Sequence, residues 1–174
     1  MVRARWAIYA LAGALALGGT GMIASAVGPF GGTPDQPFAF PHDLHAGTSQ
    51  IPCMYCHSSA DRSVSAGIPS VQVCAGCHLA AGNPLFRADS AGIRQLVRYW
   101  NQGMPIPWAR IYDLPDHARF PHMRHVNADV ECQECHGAVE TMRVIEQEAS
   151  LQMGWCIECH RARSVRTDCF VCHY

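Results

Sequence analysis

All ten cysteines of this 174-residue chain fall into five copies of one motif, Cys-x-x-Cys-His, and none is left over. The copies are Cys53/Cys56/His57, Cys74/Cys77/His78, Cys132/Cys135/His136, Cys156/Cys159/His160 and Cys169/Cys172/His173. This spacing is the attachment signature of c-type haem: two thiols form thioethers to the porphyrin edge, and the adjacent histidine reaches the iron. A structural zinc site needs two thiol pairs or further histidines, and has no reason to demand a histidine after every second cysteine. A disulfide framework imposes no such spacing. The motifs therefore predict five covalently attached haem c groups and a chain that handles electrons.

The remaining histidines extend the pattern. Four of them occupy two copies of one phrase, Phe40-Pro41-His42-Asp43-Leu44-His45 and Phe120-Pro121-His122-Met123-Arg124-His125. Each phrase is followed by two motifs, so the chain reads as a duplication with a period of about 80 residues, longer than solenoid repeats. The fifth motif is appended at the C-terminal end. Histidines three apart on a helical turn share a face but diverge, so one phrase can serve two irons. His42, His45, His122 and His125 are accordingly expected as distal ligands. The fifth distal ligand stays open. His117 lies outside the duplicated phrase, in the polar run Asp116-His117-Ala118-Arg119, and reads as a surface residue. Methionine thioether is the other usual ligand and raises haem potential relative to two histidines. Met142 and Met153, between the third and fourth motifs, are the favoured candidates, with haem packing as their plainer role.

Composition adds two constraints. All thirteen basic side chains are arginine, so no iron here can be lysine-ligated, which removes the kind of catalytic haem found in pentahaem nitrite reductases. Arginine can pair bidentately with haem propionates, although a GC-rich genome explains the bias equally well. The formal charge of −1 omits the propionates that five haems would bring, so docking surfaces cannot be read from it.

The N-terminus carries a location signal. Arg3 and Arg5 precede an uncharged run from Trp6 to Gly28. As a helix this run spans about 34 Å, enough for a bilayer core of about 30 Å. The arginines keep its start in the cytoplasm. A single-pass anchor over residues 1–28 is expected, with the rest on the periplasmic side of the inner membrane. The competing reading is a cleaved signal peptide at Ala24-Ser25-Ala26, against which the length of the run weighs. Ala10, Ala14 and Gly18 form a small-residue ridge that suits a partner helix. A Gly/Pro-rich linker follows at 29–37, then a pentahaem domain over 38–174.

That domain has fewer than thirty residues per motif, too few for a conventional core, so short helices, long ligand-bearing loops and almost no sheet are expected. The fold class is mainly α. Only Ser90–Gln102 reads as an ordinary helix: Ser90 caps it, Gly103 ends it, and Ile93, Leu96, Val97 and Trp100 make one apolar face. Met104-Pro105-Ile106-Pro107-Trp108 forms an extended link after it.

The phrase Phe-x-His-x-x-His followed by Cys-x-x-Cys-His resembles the class III (c7/c3-like) multihaem cytochromes. Three further stretches narrow the resemblance: Ala66-Gly67-Ile68-Pro69-Ser70, then Pro105-Ile106-Pro107-Trp108 with Asp113-Leu114-Pro115-Asp116, and Met153-Gly154-Trp155-Cys156 with Arg161. With five motifs and one anchor, the chain is similar to the membrane-anchored pentahaem subunit of alternative complex III. The resemblance implies a non-catalytic electron-transfer subunit of a quinol:acceptor oxidoreductase. Its partners would be an iron–sulfur subunit, polytopic quinol-binding membrane subunits and a monohaem cytochrome c subunit or soluble acceptor. In that family pattern the position of His117 is not usually histidine, which favours a methionine. The first histidine of each phrase would serve the next haem and the second a more distant one. The alternative is a stand-alone quinol dehydrogenase of the NapC/NrfH type. Those proteins place methionine two residues after the first motif histidine, where this chain has Ser59.

Overall fold

The computed structural model describes residues 33–85 and 87–174. The expected anchor over 1–28 and residues 29–32 of the linker lie outside the described residues. Among the described residues no helix is long and apolar enough to cross a membrane. The architecture is mainly helical with little sheet. In chain order it comprises a π-helical turn Asp43–Thr48, α1 Cys53–Cys56, α2 Val71–His78, β1 Leu79–Ala80 and β2 Asn83–Pro84. Then follow α3 Ala91–Gln102, α4 His122–Val126, α5 Gln133–His136, a 3₁₀ turn Val139–Thr141, α6 Met153–Ala162 and α7 Cys169–Cys172.

Each motif takes a helical turn. The backbone N–H of His57, His136 and His173 donates to the carbonyl of the first cysteine of its own motif, at 2.9 Å in all three. A helical turn puts positions i, i+3 and i+4 on one face, so both thiols and the imidazole leave the backbone on the same side.

The expected ordinary helix is α3. Ser90 is its N-cap in extended conformation, and Gly103 ends it in the left-handed region at φ 62°. There glycine avoids the Cβ penalty. Leu96 is 3% exposed and centres a cluster with Val71, Ala75, Leu79 and Ile106, flanked by Phe38, Ile93, Val97, Tyr99 and Trp108. This cluster packs α3 against α2 and so fixes the second motif. Trp100 departs from the expected buried face: it is 36% exposed and lies beside Gly82 in the β1–β2 turn. Its position near the end of α3 carries it past the cluster onto the hairpin. That hairpin pairs Leu79 with Pro84 and Ala80 with Asn83. Its turn residues Ala81 and Gly82 both have positive φ, as a two-residue hairpin loop of the primed type requires. Gln36, at the end of the linker, exchanges two hydrogen bonds with the backbone of Ala109 at 3.1 and 3.0 Å.

The two halves of the duplication are interlocked. The first phrase rests on the loop after the third motif: Asp43 N–H donates to the Met142 carbonyl at 2.9 Å, and Gly47 packs onto the Glu140 carbonyl. The second phrase rests on the loop after the first motif. His122 N–H donates to the Val64 carbonyl, Met123 N–H to Ser63 and the Asn127 amide to Asp61, each at 3.0 Å.

Candidate functional site

The tertiary structure brings motif histidines opposite histidines from elsewhere, with the rings stacked in one pair and tilted in two. His45 and His78 have ring centres 6.0 Å apart, His122 and His136 6.4 Å, and His125 and His160 6.2 Å. His42, whose pKa burial lowers first, lies close enough to His57 for that imidazole to lower it further. In each half, the first phrase histidine faces the nearer motif and the second the farther one. A fifth pair joins His117 to His173, ring centres 5.6 Å apart and 25° from parallel.

An iron held between two imidazole nitrogens at metal–nitrogen distances of about 2.0–2.1 Å would set the ring centres roughly 6.4 Å apart. The observed spacings fit that value to within a few tenths of an ångström on either ring.

Protonation fits as well. A metal-bound histidine characteristically donates its other ring N–H to a carbonyl, which fixes the tautomer and aims the ligating nitrogen. Six imidazoles hold Nδ1 on a backbone carbonyl. His57 pairs with Gly67 at 2.7 Å, His160 with Arg166 at 2.9 Å and His173 with His117 at 3.1 Å. His45 pairs with Pro41 at 2.9 Å, His125 with Pro121 at 3.0 Å and His122 with Val64 at 2.9 Å. Nε2 is thereby left with the lone pair in each. Burial pushes His136 down to about 4, reinforced by the neighbouring imidazoles of His122 and His57. Burial first, then nearby imidazoles, also lowers His42 and His78. These groups are neutral at pH 7, the form that binds metal.

The thiols adjoin one another across motifs. Burial is the first cause of the raised pKa of Cys56, Cys74, Cys132, Cys135 and Cys156, and a neighbouring motif's thiol is the second. The neighbours are Cys77 for Cys56, Cys56 for Cys74, Cys53 for Cys132, Cys159 for Cys135 and Cys172 for Cys156. The attachment positions therefore form one row: second motif, first, third, fourth, fifth. Arg163 at the end of α6 bonds both carboxylate oxygens of Glu134 in α5, at 2.7 and 3.0 Å, tying the fourth motif to the third.

Positioning residues surround these imidazoles, two of them marked in the sequence by the repeat and Tyr112 by no such signal. Phe40 stacks on His45 at 4.3 Å and meets His42 edge-on at 4.9 Å. Phe120 repeats this on His125 at 4.2 Å and on His122 at 5.0 Å. The duplicated Phe-Pro thus has a purpose: the ring orients both histidines, and the proline carbonyl anchors the second. Tyr112 packs edge-on against His136 at 4.4 Å, accepts from Glu148 N–H at 2.9 Å and donates to the Cys135 carbonyl at 3.3 Å.

The two candidate methionines lie elsewhere. Met142 follows the 3₁₀ turn with its methyl beside Gly137, and Met153 opens α6 with 64% exposure.

No protein-family model matches the chain. It is 30% identical over 102 residues to the menaquinone reductase, multihaem cytochrome c subunit of Nitratidesulfovibrio vulgaris, over 59% of this chain and 46% of that protein. The chain thus matches a little under half the length of that curated relative. The similarity supports a multihaem cytochrome c, in agreement with the donor set described above.

Proposed function

We propose that this chain is a five-haem electron-transfer subunit of a quinone-linked membrane complex. The observation that carries this reading is the set of paired imidazoles, spaced for an iron and anchored through Nδ1 to backbone carbonyls. When bound, c-type haem supplies a one-electron iron couple whose potential is set by its axial ligands and surroundings.

The chain's own residues do the rest. The five cysteine pairs fix the attachment edges in a row. His57, His78, His136, His160 and His173 supply proximal nitrogens. His42 and His45 face the first and second motifs, and His122 and His125 the third and fourth. Were haem bound at these four sites, imidazoles would be available on both sides of each iron and would close it to small ligands, so these sites would carry electrons without making or breaking substrate bonds. The row has two ends, the second and the fifth motif, through which electrons would enter and leave.

The sequence resemblance supports alternative complex III as the setting. The partners would be an iron–sulfur subunit, polytopic quinol-binding subunits and a monohaem cytochrome c, with the haem domain held at the periplasmic face by the anchor over 1–28. The name of the Nitratidesulfovibrio relative favours a second reading, in which the same row delivers electrons to menaquinone.

The test is a gentle detergent extraction of native membranes through this chain, with mass spectrometry of the co-purified proteins and measurement of covalent haem. Five haems and an iron–sulfur protein with polytopic subunits are expected. Reduction of the complex by added quinol, against reduction of quinone by it, separates the two directions. Recovery of this chain alone, still reducible by quinol, would instead make it a stand-alone quinol dehydrogenase.

A further inference from the structure

The duplication supplies two distal histidines to each pair of motifs and nothing to the fifth, which stands outside it. Its partner must come from elsewhere in the chain. The C-terminal motif is clamped to the segment that precedes the second phrase. Ala118 and His173 form an antiparallel bridge, and Arg119 N–H donates to the Cys172 carbonyl at 2.7 Å. The Tyr174 hydroxyl donates to the Asp116 carbonyl at 2.9 Å, and the Arg119 guanidinium lies 4.8 Å over the Tyr174 ring.

This clamp sets the geometry of two imidazoles. The His117 carbonyl accepts from His173 Nδ1 at 3.1 Å, which leaves His173 Nε2 as the nitrogen with the lone pair. The His117 ring stands 5.6 Å from the His173 ring and 25° from parallel. The two residues are far apart in sequence, so the contact is a product of the fold. Its spacing is within half an ångström of the shortest of the three phrase pairs, which span 6.0–6.4 Å.

We propose that His117 is the distal ligand of the fifth haem iron, so that all five irons are ligated by two histidines. The polar run around His117, from which it reads as a surface residue, is the strand-like stretch that the C-terminal segment pairs with, and His117 is exposed there. Met142 is engaged beside Gly137 after the third motif, and Met153 projects outward ahead of the fourth. A consequence is that the end of the row at the fifth motif has no methionine ligand to raise its potential above the others.

This inference rests on the haem reading, and the experiment separates the two. The full-length chain, matured with covalent haem and purified in detergent, is compared with His117→Ala, His117→Met, Met142→Leu and Met153→Leu. Covalent haem per chain is measured first; no covalent haem in the unsubstituted protein would sink the haem reading itself. With five present, no methionine–iron charge-transfer band in the far red is expected from the oxidised unsubstituted protein. His117→Ala should convert about one haem in five to a high-spin form that binds carbon monoxide when reduced, and the two leucine variants should leave every haem low-spin. His117→Met should gain the far-red band, a readout that holds even if the alanine variant is degraded. A far-red band in the unsubstituted protein that either leucine variant abolishes would overturn the assignment, as would His117 variants with five unchanged low-spin haems.

Discussion

The pairing of His45 with the second motif, and not the nearer first, can be tested by counting open irons. The two rings lie 6.0 Å apart, with His45 held from behind by Phe40 at 4.3 Å and by the Pro41 carbonyl at 2.9 Å. Substituting His45→Ala removes one strong-field ligand from one iron. Carbon monoxide titration of the reduced protein should then rise from none to about one equivalent per chain, a fifth of the haem. Pairing is resolved by double substitution, because two residues on one iron act as a unit and two on different irons add. His45→Ala with His78→Ala should still open about one site, whereas His45→Ala with His57→Ala should open about two. His45→Met offers an independent readout. A thioether in place of the imidazole should raise one midpoint by on the order of 0.1 V, within the roughly 0.8 V that axial ligands span. For a one-electron couple at about 59 mV per tenfold, that is roughly a 50-fold change in the reduction equilibrium of one haem. Two equivalents from His45→Ala with His78→Ala, or one from His45→Ala with His57→Ala, would refute the pairing.

Four further outcomes follow from the surroundings of the ligands. Phe120→Leu removes the stack on His125 and should cost about 0.5–1.5 kcal/mol beyond lost area, read as a lower denaturation midpoint with a disturbed low-spin signal from the fourth site. Tyr112→Phe keeps the ring against His136 but removes the hydrogen bonds to the exposed Glu148 N–H and the Cys135 carbonyl; a loss of about 0.5–1.5 kcal/mol in chemical denaturation is expected. Gly137→Ala places a methyl 2.6 Å from Glu148 Cγ at a residue with φ 69°, so a loss of about 1–3 kcal/mol and weaker haem retention at the third motif are expected. Arg163→Ala removes a pair whose side chains are about two-fifths exposed, so its cost should be at most about 1 kcal/mol and should shrink in high salt.

Legibility in the sequence tracked how local the physics is. Covalent attachment demands fixed residue types at fixed spacing, so the five motifs are plain from the letters alone. Duplication exposed the phrases, because chance does not repeat Phe-Pro-His-x-x-His ahead of two motif pairs. The boundaries of α3 were equally legible, since an extended residue at Ser90 and a left-handed end at Gly103 are local backbone events, although the Ser90 side chain makes no capping hydrogen bond. Trp100 was not: whether it is covered depends on where the Ala81–Gly82 turn packs. His117 is the sharpest case of a tertiary effect. Nothing near it in the chain marks it, and its relation to His173 exists only because the C-terminal segment folds back along residues 116–119. The backbone acceptors at Gly67, Val64 and Arg166 were equally hidden, since any residue carries a carbonyl and only the fold decides which one an imidazole meets.

The interlocked halves explain how so little apolar core can hold so many ligands in register. Among the described residues, buried apolar side chains gather mainly in the one cluster beside the second motif, at an end of the row. The middle of the row, first motif to third, lies where the two halves of the duplication meet. There the chain uses crossed contacts: the first phrase docks on the loop after the third motif, and the second on the loop after the first. Each phrase thus faces its histidines toward the motifs of its own half while its backbone is bonded to the other. Moving one half would drag the other half's phrase histidines with it. The Val64 carbonyl shows the coupling in a single atom, since it accepts both the backbone N–H and the ring N–H of His122. That carbonyl belongs to the first motif's loop, and the imidazole it aims faces His136 of the third. Two independent two-motif modules would require no such sharing, and would let the spacing at their junction drift. A row that passed electrons across that junction would gain from a hydrogen bond that ties the imidazole facing the third motif to the first motif's loop.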